Sequence, residues 1–378
     1  MKRTIDVMNL RLSRVALAFG AGTIAFGLAA CGSDNPVAQN EGETSTGTAE
    51  DAMLSGSIAG AGASSQEAAM NAWIAKYQSQ RQDVTVSYDP VGSGAGITQF
   101  VGKQVVWAGS DSVLKDDEVT AAKDRCGSDA LNLPVYISPV AVIFNLDGID
   151  TLNMDAETIA KVFSGEITKW NDEAIASQNP DVELPDVAIT PVHRADESGT
   201  TQNFTDYLSK AAPDAWPHKA GKAWPISGGE SGDKTSGLVQ AVTAGTGTIG
   251  YADASQAGSL GTIALKAGDG YVKFSNEAAA AAVDSAERVD SGVQGDLGLT
   301  INRTPEDPKA YPLVLVSYSI VCSTYEDQET VDLVKDFIGF QASAEGQAAA
   351  SEAAGSAPLS TSMQSEIKSS LDMIQVAK

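Results

Sequence analysis

The chain has 378 residues, of which 43% are hydrophobic and 20% charged, and its formal net charge is −24. This length predicts two domains with a sizeable core. The acidic charge argues against nucleic-acid binding, which needs a basic face, but it does not exclude a small anion held by local dipoles.

The N-terminus has the pattern of an export signal. Four cationic residues within the first 14 precede an apolar run over 15–30, which is too short for a comfortable membrane span. The run ends Leu28-Ala29-Ala30-Cys31, and small residues directly before a cysteine resemble a bacterial lipobox. We therefore predict a signal peptide over 1–30, cleavage before Cys31 and a diacylglycerol on its sulfur. The alternative is an ordinary signal peptide with an incidental cysteine.

The next segment, 31–51, predicts a flexible tether, because it is rich in small polar residues and nearly free of large apolar side chains. A compact pattern begins at Leu54. Alternating and helical spacings predict, in order, a strand over 54–60, a helix over 65–80, a strand over 84–88, a short helix over 97–101 and a strand over 105–109.

The second part of the chain continues this alternation. Helices are predicted over 201–208, 278–286 and 331–344, and strands over 134–137, 140–144, 249–251 and 313–321. Alternating strands and helices predict an α/β fold with parallel strands. We find no internal repeat and no second apolar segment long enough to span a membrane.

Two cysteines remain after Cys31, namely Cys126 and Cys322. An exported chain lies in an oxidising compartment, so this pair predicts a disulfide. Two buried free thiols are the alternative.

Three loops place small polar residues after a strand and before a helix. The first is Gly60–Ser65 with Ser64 and Ser65, the second is Gly92–Gly96 with Ser93, and the third is Arg194–Thr200 with Asp196, Ser198 and Gly199. Strand carboxyl ends in an α/β sheet face the ligand crevice, and helix starts present free N–H groups. The third loop adds a cation, Arg194, that can form two hydrogen bonds to an anion. Taken alone, this third loop is equally well explained as a capped helix with a surface Arg–Asp pair.

Asp111 follows a fourth strand and indicates which anion would fit. A carboxylate repels a fully deprotonated anion but accepts a hydrogen bond from one that still carries a proton. Phosphate keeps a proton near neutral pH and sulfate does not, so Asp111 would reject sulfate. An ordinary cap of the following turn is the alternative.

Other chemistries find little support in the sequence. Gly229–Thr235 nearly matches a phosphate-binding P-loop, but Asp233 stands where the second glycine must be. The only histidines, His193 and His218, have no cysteine cluster nearby, which argues against zinc. Ser198 lacks the Gly-x-Ser-x-Gly turn of many hydrolases. The five tryptophans are better explained by packing than by sugar stacking.

These motifs resemble the phosphate-binding lipoproteins of bacterial Pst ABC transporters, in their actinobacterial form. The most specific match is Arg194–Thr200. The supporting matches are Gly60–Ser64, Gly92–Gly96, Ala108–Asp111, Phe163–Asp172 and Gly247–Tyr251. The resemblance extends from about Leu54 to the C-terminal helix, which is nearly the whole chain after the tether.

The resemblance implies a phosphate site shared by two lobes. Ser64, Ser93, Ser198, Gly199 and Thr200 would donate hydrogen bonds, Asp111 would accept the phosphate proton, and Arg194 would supply the charge, supported by Asp196. Ser65 stands where several members carry Phe, so its N–H is the implied ligand. Glu197 replaces a common Gly and is expected to point outward or to be neutralised.

The resemblance also implies a type II periplasmic-binding-protein fold, in which crossing strands join two α/β lobes. Lobe one would comprise 52–134 and 317–378, and lobe two 135–316. The implied protein is a monomer, anchored by lipid on the extracytoplasmic face of the membrane, that delivers inorganic phosphate to the Pst permease subunits and their ATPase. It would be no enzyme and would need no cofactor or metal.

Three alternatives stay open at this point. They are a receptor for another oxyanion such as sulfate or molybdate, a secreted phosphohydrolase using Ser198 or His193, and an adhesion or signalling lipoprotein built on the same scaffold.

Overall fold

The computed structural model describes residues 54–378. The predicted signal peptide (1–30), the predicted lipidation site Cys31 and the predicted tether (31–51) lie outside the described residues. Within the described range, no helix is both long and apolar enough to cross a membrane.

The strands of this range, in chain order, are β1 (Gly56–Gly62), β2 (Val84–Asp89), β3 (Trp107–Ser110), β4 (Ala130–Phe144), β5 (Thr151–Met154), β6 (Thr190–Arg194), β7 (Glu230–Gly232), β8 (Thr248–Asp253), β9 (Gly261–Ala267), β10 (Gly270–Val272), β11 (Glu287–Arg288), β12 (Leu299–Thr300), β13 (Val314–Cys322), β14 (Thr324–Tyr325) and β15 (Gln375–Val376).

The helices are α1 (Glu67–Gln80), α2 (Ser93–Val101), α3 (Asp116–Cys126), α4 (Ala156–Phe163), α5 (Glu173–Ala176), α6 (Gly199–Ala211), α7 (Lys234–Ala244), α8 (Asn276–Asp284), α9 (Gln328–Ala342), α10 (Ala344–Ala354) and α11 (Thr361–Asp372). A short 3-10 helix spans Ala254–Gln256.

A mixed sheet runs through two α/β lobes. Its strand order is β2-β1-β3-β13-β4-β8-β6-β7, and β9 pairs with β4 and carries β5 and β10. The first lobe contains β1, β2 and β3 in parallel, and the second contains β6, β7 and β8 in parallel. β4 pairs with β13 over 130–139 and with β8 over 140–144, so this long strand belongs to both lobes. The predicted α/β fold of two lobes joined by crossing strands is confirmed.

β4 differs from the prediction, which divided it into two strands. Fourteen of its fifteen residues are buried, because α3, α7, α8, α9 and α11 pack against this strand. Its two prolines lie at special positions: Pro134 faces the irregularity between Ser317 and Tyr318 of β13, and Pro139 is the last residue to pair with β13. Prolines lack the N–H that a ladder requires, and such positions tolerate them.

The predicted disulfide is present. Cys126 ends α3 and Cys322 ends β13, with their Cα atoms 5.5 Å apart. The bridge connects segments 196 residues apart in the chain. It fastens α3 of the first lobe to a strand that pairs with β3 of the same lobe.

Candidate functional site

Strands of both lobes end, and helices begin, around a common crevice. In the first lobe, β1, β2 and β3 lead into α1, α2 and α3; in the second, β6 and β7 lead into α6 and α7. Parallel strands present their carboxyl ends on one side, so these loops face each other. The structure brings together all of the predicted ligand residues here, and all are buried: Ser64, Ser65, Ser93, Asp111, Arg194, Ser198, Gly199 and Thr200.

Asp111 is the buried carboxylate of this crevice, with only 3% of its surface exposed. Its Oδ1 accepts hydrogen bonds from Ser65 Oγ and Ser317 Oγ, each at 2.6 Å, and its Oδ2 accepts one from Thr200 Oγ1 at 3.0 Å. Burial raises the pKa of Asp111, and the three hydroxyl donors and then Arg194 partly oppose that rise. A carboxylate has about four acceptor positions, so Oδ2 keeps one for a further donor.

Arg194 supplies the positive charge and is only 3% exposed. Its Nε and Nη2 donate to the two carboxylate oxygens of Asp196, at 2.7 and 2.5 Å. Asp196 also accepts from the backbone N–H of Lys234, which fixes the carboxylate in turn. The guanidinium is therefore held in one orientation, as predicted, while Nη1 and Nη2 still reach hydroxyls of the crevice.

Thr235 is a site residue that the sequence analysis missed. Its Oγ1 lies 3.0 Å from Ser64 Oγ and 3.4 Å from Arg194 Nη1, and its backbone N–H donates to Ser64 Oγ. It is 1% exposed and lies in the first turn of α7. The segment that fails as a P-loop thus still presents a helix N-terminus to the crevice. The succession of a strand, small polar residues and a helix in this segment is the sequence signal that could have identified Thr235.

The start of α6 confirms the helix cap and also faces the crevice. Ser198 is the N-cap, and its Oγ accepts the backbone N–H of Thr201. The hydroxyl of Ser198 therefore keeps its proton free to donate. Thr200 contacts Asp111 from the first turn of the same helix. The positive end of the helix dipole points into the crevice from this side, which favours an anion.

Gly199 allows the two lobes to approach. A Cβ at this position would lie 2.6 Å from Ser93 Oγ and 2.7 Å from Asp111 Cβ, both in the first lobe. A Cβ on Gly94 would likewise lie 2.5 Å from Glu197 Cβ. The absence of a side chain at Gly199 and Gly94 therefore lets the lobes lie close together beside the predicted ligands.

α2 begins at Ser93, four residues before the predicted start. Gly94 and Gly96, which were expected in a turn, lie inside this helix. The helix packs so closely on neighbouring backbone that a Cβ on Gly96 would lie 2.3 Å from Gly62 Cα, and this explains the glycine. Ser93 Oγ accepts the backbone N–H of Asp111 at 3.3 Å, which links two of the predicted ligand loops.

Glu197 is exposed at the edge of the crevice. Its side chain is exposed and its Oε2 lies beside Gly94 of α2, while its backbone carbonyl accepts the N–H of Gly94 at 3.0 Å. Its carboxylate makes none of the described hydrogen bonds to the predicted ligands, and its orientation relative to a bound anion stays a prediction.

Three further residues contact the site from distant parts of the chain, and two of them, Asn203 and Gln256, do so from the second lobe. Ser317, on β13, donates to Asp111. Asn203 Nδ2, on α6, donates to the backbone carbonyl of Asp111 at 2.7 Å, and Gln256 Nε2 donates to that of Ser64 at 3.3 Å. These contacts join residues 92 to 206 positions apart, so no local motif points to them.

The hydrolase alternative finds no support in the geometry. Both ring nitrogens of His193 face backbone carbonyls, those of Arg194 and Gly228, and its ring stacks on Trp224. Among the described contacts, His193 makes no hydrogen bond to Ser198. Within residues 54–378, no three His, Cys, Asp or Glu side chains are grouped as metal ligands.

The tryptophans serve packing, as predicted. Four of them are fully buried, namely Trp73, Trp107, Trp170 and Trp216, and the fifth, Trp224, is packed against the core.

Comparison with known proteins gives a consistent result. Residues 41–345 match the PBP superfamily domain. The chain is 37% identical to "Phosphate-binding protein PstS 3" of Mycobacterium tuberculosis (strain ATCC 25618 / H37Rv) over 341 residues, which is 87% of this chain and 90% of that protein. It is 37% identical to "Phosphate-binding protein PstS 3" of Mycobacterium leprae (strain TN) over 331 residues, covering 85% and 89%.

The fold is similar to that of solved structures. One of them, a high-affinity periplasmic phosphate-binding protein (PfluDING) bound with phosphate at pH 8.5, superimposes with a TM-score of 0.67. It shares 20% sequence identity, and the match covers 83% of this chain and 93% of that one.

Proposed function

Because this chain belongs to the PstS-type phosphate-binding proteins of the PBP superfamily, we propose that it captures inorganic phosphate between its two lobes for import by an ABC transporter. Closure of the lobes replaces the hydration shell of the anion by fixed donors. The protein binds and releases its ligand without covalent chemistry.

The observation that carries this proposal is that Asp111 and Arg194 both lie in one buried crevice. The guanidinium and the N-termini of α2, α6 and α7 favour an anion. The remaining acceptor position of Asp111 favours one that carries a proton. Phosphate at neutral pH satisfies both demands, whereas sulfate and molybdate bring no proton for Asp111.

The donors divide between the lobes. In our proposal, Ser64 and Ser93 bind phosphate from the first lobe, and Ser198, Gly199 and Thr200 bind it from the start of α6. Support comes from their burial in one crevice and from the hydrogen bonds among them.

Ser65 and Thr235 extend this set. The hydroxyl of Ser65 donates to Asp111, so in our proposal it orients the proton acceptor while its N–H remains available to phosphate. Thr235 lies beside Ser64 and Arg194, and we add it to the ligand set on that ground.

The hinge follows from the shared strands. We propose lobe one as 52–134 plus 317–378 and lobe two as 135–316, with both crossings inside β4 and β13. The disulfide between Cys126 and Cys322 joins α3 to β13 and leaves the hinge motion free.

Import requires that the bound phosphate be delivered to a membrane transporter. We propose that residues 1–30 direct export, that Cys31 carries the lipid anchor on the extracytoplasmic face and that 31–51 tethers the binding domain. The Pst permease subunits and their ATPase would then receive the phosphate. Loss of radiolabelled palmitate incorporation in Cys31→Ala, with incorporation retained in the parent, tests the anchor.

Calorimetric titration of phosphate-stripped protein with phosphate and with sulfate, at several pH values, tests the function. We expect phosphate to bind at least about 100-fold more tightly than sulfate. Placing the deprotonated sulfate next to the Asp111 carboxylate brings like charges together, which costs several kcal/mol. Equal affinity for the two anions would contradict the role of Asp111. Turnover of a chromogenic phosphate ester, abolished by Ser198→Ala, would favour the hydrolase instead.

A further inference from the structure

A buried ion pair outside the predicted phosphate ligands joins the two lobes. Lys222 Nζ lies 2.5 Å from Glu118 Oε1, and the side chains are 4% and 19% exposed. Glu118 is in the first turn of α3, in the first lobe. Lys222 precedes β7, in the second lobe. The pair therefore bridges the cleft.

Lys222 is fastened directly to the predicted phosphate loop. Its backbone carbonyl accepts the N–H of Ser198, the N-cap of α6. Beside it, the carbonyl of Glu197 accepts the N–H of Gly94 across the cleft. These contacts line a surface groove of about 480 Å³ that is formed by both lobes. The ion pair thus lies at the edge of the cleft, next to the site but without touching the predicted ligand side chains.

The charges make this contact sensitive to the loss of either partner. Burial lowers the pKa of Lys222, and its hydrogen bond to Glu118 opposes that effect. Lys115 adds a repulsive positive charge and Glu197 an attractive negative one. A buried ammonium that loses its partner strongly destabilises the state in which it is buried. The intact pair itself can contribute almost nothing to the net stability of that state. Separation of the lobes necessarily breaks the pair.

We propose that Lys222 and Glu118 form a latch whose closure sets the lifetime of the phosphate-loaded, closed state. This inference rests on the proposed function. The latch acts after the anion has entered, because the two side chains meet only when the lobes do. It therefore controls the rate of phosphate release, whereas Asp111 and Arg194 control which anion is bound.

Glu118→Gln is the sharpest variant. Glu118 also caps α3, since its Oε2 accepts the backbone N–H of Lys115. A glutamine keeps an oxygen for that cap and removes the charge that holds Lys222. Lys222→Met removes the ammonium and keeps a long apolar stem. Lys123→Met is the matched control, because Lys123 pairs with Asp129 on the exposed side of the same helix and contacts no second lobe.

Stopped-flow tryptophan fluorescence measures phosphate association and release in each variant. We expect Glu118→Gln and Lys222→Met each to release phosphate about 10- to 100-fold faster, since breaking a buried charge pair acts mainly on dissociation. Association should change by less than about threefold, and the Lys123→Met control should match the parent. The double variant should be little faster than either single one, because both remove the same contact.

The possible outcomes separate the two proposals. Release rates that stay unchanged, or effects of the two substitutions that simply add, overturn the latch. An equal change in association and release overturns it as well, because that pattern indicates general damage to the fold. A parent protein that binds no phosphate overturns the proposed function and this inference together.

Discussion

Removal of the buried guanidinium is the most direct test of the site. Arg194→Ala deletes the side chain that donates two hydrogen bonds to Asp196 and one each to Ser64 and Thr235. The substitution has two effects on phosphate. The anion loses a cation, and the carboxylate of Asp196, now without its partner, remains nearby with an exposure of only 14%.

The structure bounds the size of the effect. Truncation of one partner of a buried, hydrogen-bonded charge pair costs about 2–5 kcal/mol, much of it from the charge left behind. This corresponds to a loss of phosphate affinity of roughly 30-fold to several thousand-fold. Asp196 is partly hydrated, which favours the lower half of this range. Asp196→Asn combined with Arg194→Ala should therefore recover part of the loss.

Isothermal titration calorimetry with phosphate measures these affinities, and a thermal melt of each variant checks that the fold is intact. Arg194→Lys keeps the charge but cannot form the paired bonds to Asp196, so we expect intermediate affinity. Phosphate binding by a folded Arg194→Ala protein at nearly the parental affinity would refute the assignment of the site.

Three further experiments test separate parts of the structure. Asp111→Asn should narrow the preference for phosphate over sulfate by about tenfold or more, since an amide no longer repels a deprotonated anion; unchanged discrimination in competition calorimetry would exclude Asp111 as the proton acceptor. Burial raises the pKa of Asp253, the last residue of β8, from 3.8 to about 7, so the folded protein favours the protonated carboxyl. The stability that this protonation contributes is complete below about pH 4 and is lost as the pH rises through 7. Relative to Asp253→Asn, the parent should thus lose up to about 4 kcal/mol of unfolding free energy over that interval, measured by urea denaturation; parallel pH profiles would contradict this. Replacement of both Cys126 and Cys322 by serine should cost about 2–5 kcal/mol of unfolding free energy with little change in phosphate affinity, and an equally large loss of binding would show that the bridge also shapes the site.

The sequence was most informative where function depends on local geometry. Ser93 and Ser198 each stand at the junction of a loop and a helix, and the backbone alone determines where such residues point. The carboxyl ends of parallel strands then bring the junctions together. Arg194 and Asp196 could be paired from sequence because they are two residues apart and both lie in one loop.

Residues that reach the site from distant parts of the chain could not be recognised in this way. Ser317 contacts Asp111 only because the β13 strand runs beside β3, and a strand serine has no local signature. Thr235 is not recognisable from the P-loop pattern, because Asp233 breaks that pattern around it. That pattern describes nucleotide binding, whereas a single helix N-terminus is sufficient for one anionic group. Failure of the P-loop pattern therefore argues against a nucleotide but not against a smaller anion.

The charges of the crevice explain why hydrogen bonding, rather than net charge, must recognise the anion. Asp196 neutralises Arg194, and Asp111 adds a negative charge, so these three side chains bring no net positive charge to the ligand. The chain as a whole is also acidic, with a formal charge of −24. Attraction must therefore come from oriented N–H and O–H groups, which act strongly in a closed, water-poor space and weakly in an open one. A site of this kind can hold phosphate only while both lobes contribute donors, and this dependence links the binding of the anion to closure of the cleft.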